Sequence, residues 1–449
     1  MSRHDTAQSL RAFQRGQRVF PDGTARVTIE KDPCPVYIER GEGAWVEDLD
    51  GRRFLDLHGN FTSLINGHAF PPVVEAVTRQ LRKGSCFANP TESELALAEL
   101  LCARIAGMDR LRFVNTGTEA VMFAVKAARA ITGRSGIAKI EGAYHGAYDW
   151  IEVSQTSGPA NWGSDAQPAS VPYYRGMPDS VVNEVVTLRI NDAPAAKRLI
   201  ERHAAHLAAI VIDPMPSRLG LIGATPDFLT VMQAAARRNG ILIIADEVLN
   251  FRQGYSGLSA QLGLKPDLWA LGKIIGGGFP IGAIGGRADV MEVFARRGGP
   301  ALVPQGGTFS ANPISMTAGH ANMQALTPSA FARLEAMGDR LRDALRIAIA
   351  ASGLPFSITG AASLLRVHAK GAAPTDYRQS VETPAQRGAI QRLVAHFAAG
   401  GLLMQTSGMM CLSTPMQDAD IELISGTFET YLHEELRHGG ACARAAVGE

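Results

Sequence analysis

Between about residues 71 and 326 of this 449-residue chain, short apolar runs alternate with amphipathic helical segments. The runs are Leu111–Val114, Ile137–Ile140, Ala208–Ile212, Ile241–Ala245, Leu268–Leu271 and Ile281–Ile284. Amphipathic helical patterns separate several of these runs. One example is Phe228–Arg238, which ends at an Asn239-Gly240 cap. This alternation predicts an α/β fold in which helices cover both faces of a mainly parallel sheet.

The two ends of the chain have a different pattern, and the chain is too long for one compact core. Residues Gly43–Asp56 predict two short strands around an Asp-Gly turn. After Pro328 a long helix is predicted over Phe331–Ala351, followed by shorter strands and helices. We therefore predict a large domain over residues 66–328 and a smaller α+β domain over residues 329–449. We expect the N-terminal segment, residues 1–65, to pack with the smaller domain.

Composition excludes several classes of function. The formal net charge of +1 provides no basic surface for nucleic acid or an anionic membrane. No apolar stretch approaches the ~20 residues that span a bilayer, and Met1–Gln17 lacks the apolar core of a secretory signal. The five cysteines are scattered without metal-ligand spacing, which is typical of reduced thiols. We expect a soluble cytoplasmic protein with no metal, membrane or nucleic-acid partner.

Lys273 lies between a buried-strand pattern and a glycine-rich segment, Ile274–Gly282. Burying an ammonium group is costly unless it is paired or loses its proton, and a desolvated lysine with a lowered pKa is suited to Schiff-base chemistry. Asp246 ends another buried-strand pattern, and ligands of open α/β sheets bind at the carboxyl ends of strands. The two charges predict pyridoxal phosphate (PLP), with Lys273 on its aldehyde carbon and Asp246 on its ring nitrogen.

Two glycine- and hydroxyl-rich loops are candidate phosphate sites. Thr116, Gly117 and Thr118 join a strand to a helix, where free N–H groups and the helix dipole attract anions. The alternative is an ordinary helix cap with a glycine in a tight turn. Thr308 lies in a similar loop before Pro313, and the alternative there is a flexible loop that ends at a helix start.

One aromatic residue and one arginine are further candidate site residues. Tyr144, followed by His145 and Gly146, comes after a strand and could stack on a planar cofactor, although such a pair is often structural. Arg26 could bind a substrate carboxylate in bidentate fashion, although an arginine in such a segment is ordinarily at the surface.

Taken together, these motifs resemble the class III aminotransferases of PLP fold type I, and within them the glutamate-1-semialdehyde aminomutases and the β-amino-acid aminotransferases of β-phenylalanine type. The resemblance extends from about Pro21 to Ile424. The motifs that carry it occur in family order: Asn115–Ala120, Tyr144–Gly146, Asp246–Val248, Leu271–Lys273 and Gly307–Phe309.

The resemblance implies a role for each matching residue. Lys273 would form the Schiff base and shuttle the proton, and Asp246 would pair with the pyridinium nitrogen. Tyr144 and Val248 would pack on opposite faces of the ring. Thr116, Gly117 and Thr118 would hold the phosphate. Thr308 would reach that phosphate from the second subunit of a homodimer. Arg26 and Phe61 would contact the substrate.

Two departures from the family pattern bear on specificity. The usual Glu-Pro-Val or Glu-Pro-Met motif is replaced by Asp213–Arg218, in which Ser217 is the candidate for the contact to the ring hydroxyl. The C-terminal arginine of many relatives is absent from Thr406–Met409, which favours an uncharged side-chain pocket.

The predicted function is amino-group transfer from an amine or (β-)amino acid to a keto acid or aldehyde. The alternative is an intramolecular amino shift of the glutamate-1-semialdehyde 2,1-aminomutase type.

Overall fold

The structure of the protein is a computed structural model that describes residues 6–31 and 34–445. Its α-helices, in chain order, are α1 (Ala7–Gly16), α2 (Gly59–Thr62), α3 (Pro71–Leu81), α4 (Glu92–Arg104), α5 (Gly117–Thr132), α6 (Asp149–Glu152), α7 (Asp179–Asn183), α8 (Ala193–Arg202), α9 (Pro226–Arg238), α10 (Leu258–Gln261), α11 (Ala288–Met291), α12 (Pro313–Ala325), α13 (Pro328–Ser352), α14 (Tyr377–Ser380), α15 (Pro384–Ala399) and α16 (Asp418–Ala445).

Its strands are β1 (Ile38–Glu42), β2 (Trp45–Asp48), β3 (Arg53–Asp56), β4 (Arg110–Val114), β5 (Gly136–Ile140), β6 (Val185–Leu188), β7 (Leu207–Ile212), β8 (Leu242–Asp246), β9 (Leu268–Gly272), β10 (Gly282–Gly286), β11 (Ser357–Thr359), β12 (Leu364–His368), β13 (Leu402–Leu403) and β14 (Met409–Cys411). Short 3-10 helices occur at Asn250–Gln253, Lys273–Gly276 and Glu292–Phe294.

The chain divides into two compact units. The first unit comprises the chain up to Phe70 together with residues 333–373 and those from Glu382 onward. The second unit comprises residues 71–332 and the short segment 374–381. Across the described residues, none of the helices combines the length and apolar character that crossing a bilayer requires.

The second unit is built on a seven-stranded sheet in the order β4-β10-β9-β8-β7-β5-β6. The strands from β9 to β6 are parallel, whereas β10 is antiparallel to both of its neighbours, β4 and β9. Because β4 and β9 are both antiparallel to β10, they point the same way. The carboxyl ends of every strand except β10 therefore lie at one edge of the sheet.

The predicted α/β class is confirmed, with one difference in topology. The apolar run at 281–284 forms β10, which is antiparallel, because only nine residues separate its start at Gly282 from the end of β9 at Gly272. A parallel neighbour needs a crossover connection of about a dozen residues or more. Strand β6, with its partly buried sequence Val185–Leu188, was not predicted.

Helix α5 illustrates how the second unit forms its core. Thr116 caps its N-terminus by accepting the Glu119 N–H, and Gly133 ends it with a left-handed φ of 66°. Its fully buried alanines and valines, Ala120, Val121, Ala124, Val125, Ala127 and Ala128, belong to the same cluster as strand residues of β7, β8 and β9. The first residues of α5 are thereby fixed at the carboxyl edge of the sheet.

The first unit contains a four-stranded sheet in the order β1-β2-β3-β13 and a three-stranded sheet in the order β11-β12-β14. The predicted hairpin is present as β2 and β3, and Gly51 in its turn has a φ of 80°. The long helix after Pro328 is α13, which begins at Pro328 itself.

The short segment at residues 374–381 belongs to the second unit by its contacts. Arg378 Nε donates to buried Glu141 at 2.9 Å, and the Tyr377 hydroxyl donates to the Ser157 carbonyl at 2.8 Å. The sequence pattern did not predict that these residues belong to the second unit. The domain bounds proposed near residues 65 and 328 remain predictions.

Candidate active site

Most predicted site residues of the second unit follow strands that end at the same edge of its sheet. Thr116 and Thr118 follow β4, Tyr144 follows β5, Asp246 ends β8, and Lys273 follows β9, whereas Thr308 lies in the loop before α12. His145, after β5, and Asp213, after β7, lie at this edge too, although neither was a predicted site residue. Since β8 and β9 are hydrogen-bonded neighbours, Asp246 and Lys273 end adjacent strands. This is the edge at which open α/β sheets bind ligands.

Lys273 has an unusual backbone conformation. Its φ is 49°, a left-handed value that costs a residue with a Cβ on the order of 1–3 kcal/mol. The Asn322 side chain donates to the carbonyl of Ile274 at 2.7 Å and holds the turn that follows. The lysine is only partly buried, so it is less desolvated than the sequence pattern predicts. The strained turn presents its side chain at the sheet edge.

Asp246 is buried and its carboxylate is held from two sides. His145 Nδ1 lies 2.7 Å from one oxygen, and the Val248 N–H donates to the other at 3.0 Å. Burial lowers the pKa of His145, so its ring is neutral at neutral pH. A carboxylate only accepts, which assigns the ring proton to Nδ1. Nε2 of His145 is buried and has no hydrogen-bond partner among the described residues.

Asp213 provides a second buried carboxyl group close to Asp246. Burial, and secondly the negative charge of Asp246, raise the pKa of Asp213 well above its usual range. Its side chain accepts the Met215 N–H at 2.8 Å and a hydrogen bond from the Asn250 amide. Two adjacent buried carboxyl groups resist ionising together, which favours the protonated form of Asp213.

The strand-to-helix junction at Thr116–Thr118 combines a helix cap with a possible anion site. The Thr116 oxygen accepts the Glu119 N–H at 3.1 Å, and the Thr118 oxygen accepts the Ala147 N–H at 3.2 Å. Both hydroxyls can still donate outward, and the first N–H groups of a helix lack intrahelical partners. The capping alternative is therefore correct for Thr116, and it is compatible with phosphate binding.

Gly117 is required for a reason that the sequence did not reveal. A Cβ at this position would lie 2.8 Å from Cγ1 and 2.9 Å from Cγ2 of Val248. Gly146 has a φ of 99°, and a Cβ there would meet the Thr118 hydroxyl. The loops after β4, β5 and β8 therefore pack too closely for larger residues at either glycine.

Tyr144 has the exposure expected of a stacking residue, because 48% of it is accessible. The guanidinium carbon of Arg218 lies 5.7 Å from the centre of its ring. Thr308 is exposed in its loop, and a Cβ on the preceding Gly307 would lie 3.5 Å from the Asn115 amide nitrogen.

The two residues predicted to contact the substrate, Arg26 and Phe61, lie together within the first unit. The Arg26 guanidinium lies 5.7 Å from the Phe61 ring centre and donates to the Asn60 side chain at 3.1 Å. Asn60 and Phe61 have φ values of 46° and 54°, so the short element α2 is a left-handed turn and not a right-handed helix. His58 steadies this turn by accepting the Phe61 N–H at 2.9 Å.

Sequence reasoning missed the His145–Asp246 pair and the buried Lys139. The pair joins residues 101 positions apart, which no local pattern encodes. Lys139 is fully buried on β5, and its Nζ donates to the carbonyls of Ala143 and Val153 at 3.1 and 2.8 Å. A lysine inside an otherwise apolar strand was the available signal.

A buried carboxylate at the end of β8, a lysine after the adjacent strand and a helix N-terminus suited to an anion define a PLP-dependent enzyme of fold type I. The chain belongs to the class III aminotransferases, whose family model, Aminotransferase class-III, matches residues 27–430. It is accordingly a PLP-dependent transaminase that acts on a small-molecule amino donor and acceptor.

The similarity to individual relatives extends over most of the chain. An ω-transaminase of Sphaerobacter thermophilus has 45% sequence identity and a TM-score of 0.93, with coverage of 96% of this chain and 98% of that one. Glutamate-1-semialdehyde 2,1-aminomutase of Methanothermobacter thermautotrophicus is 37% identical over 82% of this chain and 86% of the relative. β-Phenylalanine transaminase of Variovorax paradoxus is 34% identical over 97% of this chain and 94% of the relative.

The residues present fit PLP. Asp246 is a buried acceptor suited to a protonated ring nitrogen, and its two hydrogen bonds fix its orientation. The N-terminus of α5 suits the phosphate, since its free N–H groups and dipole favour negative charge. Lys273 supplies the amine at the same edge of the sheet.

Proposed function

We propose that this transaminase takes the amino group of a β-amino acid with an apolar side chain and passes it to a keto acid or aldehyde. The observation that carries the substrate assignment is the Arg26–Phe61 pair in the first unit, which joins a carboxylate-binding group to an aromatic surface. The similarity to a protein named β-phenylalanine transaminase supports it.

The proposed roles follow from the contacts of each residue. Lys273 Nζ would hold the cofactor at its aldehyde carbon until the donor amine displaces it, and the freed amine would then move the proton of the carbon that bears the donor's nitrogen. Asp246 would accept the N–H of the cofactor ring, and His145 holds Asp246 in place. Bound PLP supplies an electron sink for the charge left on the deprotonated carbon. Tyr144 and Val248 flank the ring.

The phosphate is proposed to lie at the N-terminus of α5, where Thr116, Gly117 and Thr118 donate to it. Thr308 of a second subunit completes this site, which makes the active enzyme a homodimer. The exposure of Thr308 supports a role outside its own chain. We also propose that the second unit is the PLP-binding domain, that the first is the small domain, and that the protein is cytoplasmic.

Arg26 is proposed to bind the donor carboxylate and Phe61 to line the side-chain pocket. A planar guanidinium matches a carboxylate in bidentate fashion and keeps its charge. The hydrogen bond to Asn60 and the ring of Phe61 orient the guanidinium before a substrate binds. With no arginine at residues 406–409, an uncharged substrate side chain fits best.

An intramolecular amino shift is the second candidate, because several relatives are named glutamate-1-semialdehyde 2,1-aminomutase. The two reactions differ in whether a separate acceptor is needed. A transaminase leaves the amino group on the enzyme when it is given a donor alone, whereas a mutase returns it to the same molecule.

A donor-only assay on the purified holoenzyme tests both proposals. We expect β-phenylalanine alone to give one keto product per active site and to leave an amino-loaded enzyme.

The Arg26→Ala variant tests the carboxylate role of Arg26. It should lower kcat/KM for β-amino acids by a factor that corresponds to roughly 2–4 kcal/mol of activation free energy, and it should leave kcat/KM for 1-phenylethylamine unaffected, because only the β-amino acids have a carboxylate.

The exposed Arg202→Ala variant on α8 controls for the loss of a surface arginine. Isomerisation of an amino aldehyde without an acceptor would favour the mutase. Equal activity of wild type and Arg26→Ala on every carboxylated donor would remove the carboxylate role of Arg26.

A further inference from the structure

Arg218 is an exposed arginine for which no carboxylate of the described residues lies within ion-pair distance. Its guanidinium carbon lies 5.7 Å from the centre of the Tyr144 ring. The surface arginines of this protein commonly pair with acids, as Arg238 does with Glu201 at 3.1 Å. Arg218 instead rests on an aromatic residue of the proposed active site.

The loop that presents Arg218 is held in a defined conformation. It follows β7 at the carboxyl edge of the sheet and closes through hydrogen bonds from Gly220 N to Ser217 O at 3.0 Å and from Leu221 N to Pro216 O at 3.1 Å. The flanking residues Leu219 and Leu221 are buried. The turn therefore fixes the backbone from which the Arg218 side chain extends.

The charges around Arg218 leave it available to an anion. Glu141, a buried acid of this region, is already paired with Arg378 at 2.9 Å. Glu152, a second buried acid that lies within electrostatic range of Tyr144, makes no ion pair with Arg218 among the described residues. Tyr144 lies within electrostatic range of both Arg218 and Asp246: burial raises the pKa of its hydroxyl, the positive charge of Arg218 opposes that rise, and Asp246 adds to it. Arg218 and Asp246 therefore border the same tyrosine.

We propose that Arg218 binds the carboxylate of the keto-acid acceptor, an inference that rests on the proposed transaminase function. A guanidinium without an ion-pair partner among the described residues, lying beside an aromatic ring, is suited to a planar carboxylate. In an α-keto acid the carboxylate is bonded directly to the reacting carbon. We assign this carboxylate to Arg218, and Arg26 to the carboxylate of a β-amino acid, which is one carbon further from the carbon that bears the amine.

The test measures the second half-reaction on amino-loaded holoenzyme. Arg218→Met should lower kcat/KM for pyruvate by about 10- to 100-fold, the worth of a charge-assisted bidentate contact. With propanal, which has no carboxylate, the change should stay within about twofold. The kcat/KM of Arg218→Lys for pyruvate should lie between those of the wild type and Arg218→Met, because lysine keeps the charge and lacks the planar guanidinium.

Arg202→Ala again serves as the surface control, and PLP affinity is measured for each variant. Equal loss with pyruvate and propanal, loss confined to the donor half-reaction, weakened PLP binding or no loss at all would each overturn the proposal. Failure of the Arg218 proposal can be told apart from failure of the transaminase function, since wild-type enzyme that cannot be loaded by any donor contradicts the transaminase function itself. If loading succeeds, the Arg218 variants decide whether this arginine binds the acceptor.

Discussion

Asp213 and Asp246 are buried carboxyl groups that end up close together at one edge of the sheet. Burial, and secondly the charge of Asp246, raise the pKa of Asp213 well above its usual range. His145 then gives Asp246 its second N–H donor. The sequence predicted Asp246 because it ends an apolar run. It could not predict His145 as its partner, because that contact depends on how the strands are ordered in the sheet.

Lys139 should make stability depend on pH. Burial lowers its pKa to about 7, below the usual lysine value of 10.5. Between these values the unfolded chain binds more protons than the folded one, so the free energy of unfolding rises with pH through that window. Relative to Lys139→Met, the wild type should gain up to about 1.4 kcal/mol per pH unit above pH 7. Urea unfolding at several pH values measures this.

The exposed Lys83→Met variant provides the matched control and should follow the wild type. A constant stability difference between wild type and Lys139→Met from pH 7 to pH 10 would contradict the assignment.

At the scale of elements, most of the features that could not be predicted from the sequence lie in the loops after the strands. The strand runs were predictable because a buried parallel strand is apolar along its whole length. The left-handed turn that contains Asn60 and Phe61 was not, since residues with a Cβ rarely adopt φ above zero and nothing in their identity indicates it. The antiparallel course of β10 could have been inferred from its short connection to β9.

Gly117→Ala should disturb the packing between the loops after β4 and β8. The added Cβ meets the branched side chain of Val248, which has little freedom to turn aside. Because Val248 is proposed to flank the cofactor ring, we expect PLP affinity to fall by about tenfold or more, equivalent to about 1.4 kcal/mol. Equilibrium titration of the apoenzyme with PLP measures the effect.

Gly133→Ala, at the other end of the same helix, is the matched control. Its φ is 66° with open space around a Cβ, so the variant should lose about 1–2 kcal/mol of stability and keep its PLP affinity. An unchanged PLP affinity in Gly117→Ala would contradict this prediction, because it would show that the Val248 side chain can move aside.

At the scale of the whole molecule, the chain forms two units whose bounds only partly follow the sequence pattern. The change from alternating strands and helices to mixed structure indicated where the second unit begins and ends. The return of residues 374–381 to that unit rests on ion pairs such as Arg189–Asp376 at 2.5 Å. Charged residues in a polar loop do not reveal which partner they will meet.

The proposed homodimer makes Thr308 a cofactor ligand for the other subunit. Thr308→Ala should then lower PLP affinity by about 1.5–3 kcal/mol, the worth of a hydrogen bond to a charged group. Wild-type affinity should also fall as dilution separates the subunits. Sedimentation combined with PLP titration checks both effects. A fully active, PLP-saturated monomer would remove this role for Thr308.

The proposed role of Lys273 as the residue that holds the cofactor is tested most directly by peptide mass mapping after borohydride reduction of the holoenzyme. Borohydride fixes the cofactor on the amine to which it is bonded. We expect the cofactor mass on the peptide that contains Lys273 and on no other lysine. We also expect Lys273→Ala to lose the visible absorbance of the bound cofactor. A cofactor adduct on another lysine, or an undiminished absorbance band in Lys273→Ala, would contradict this role.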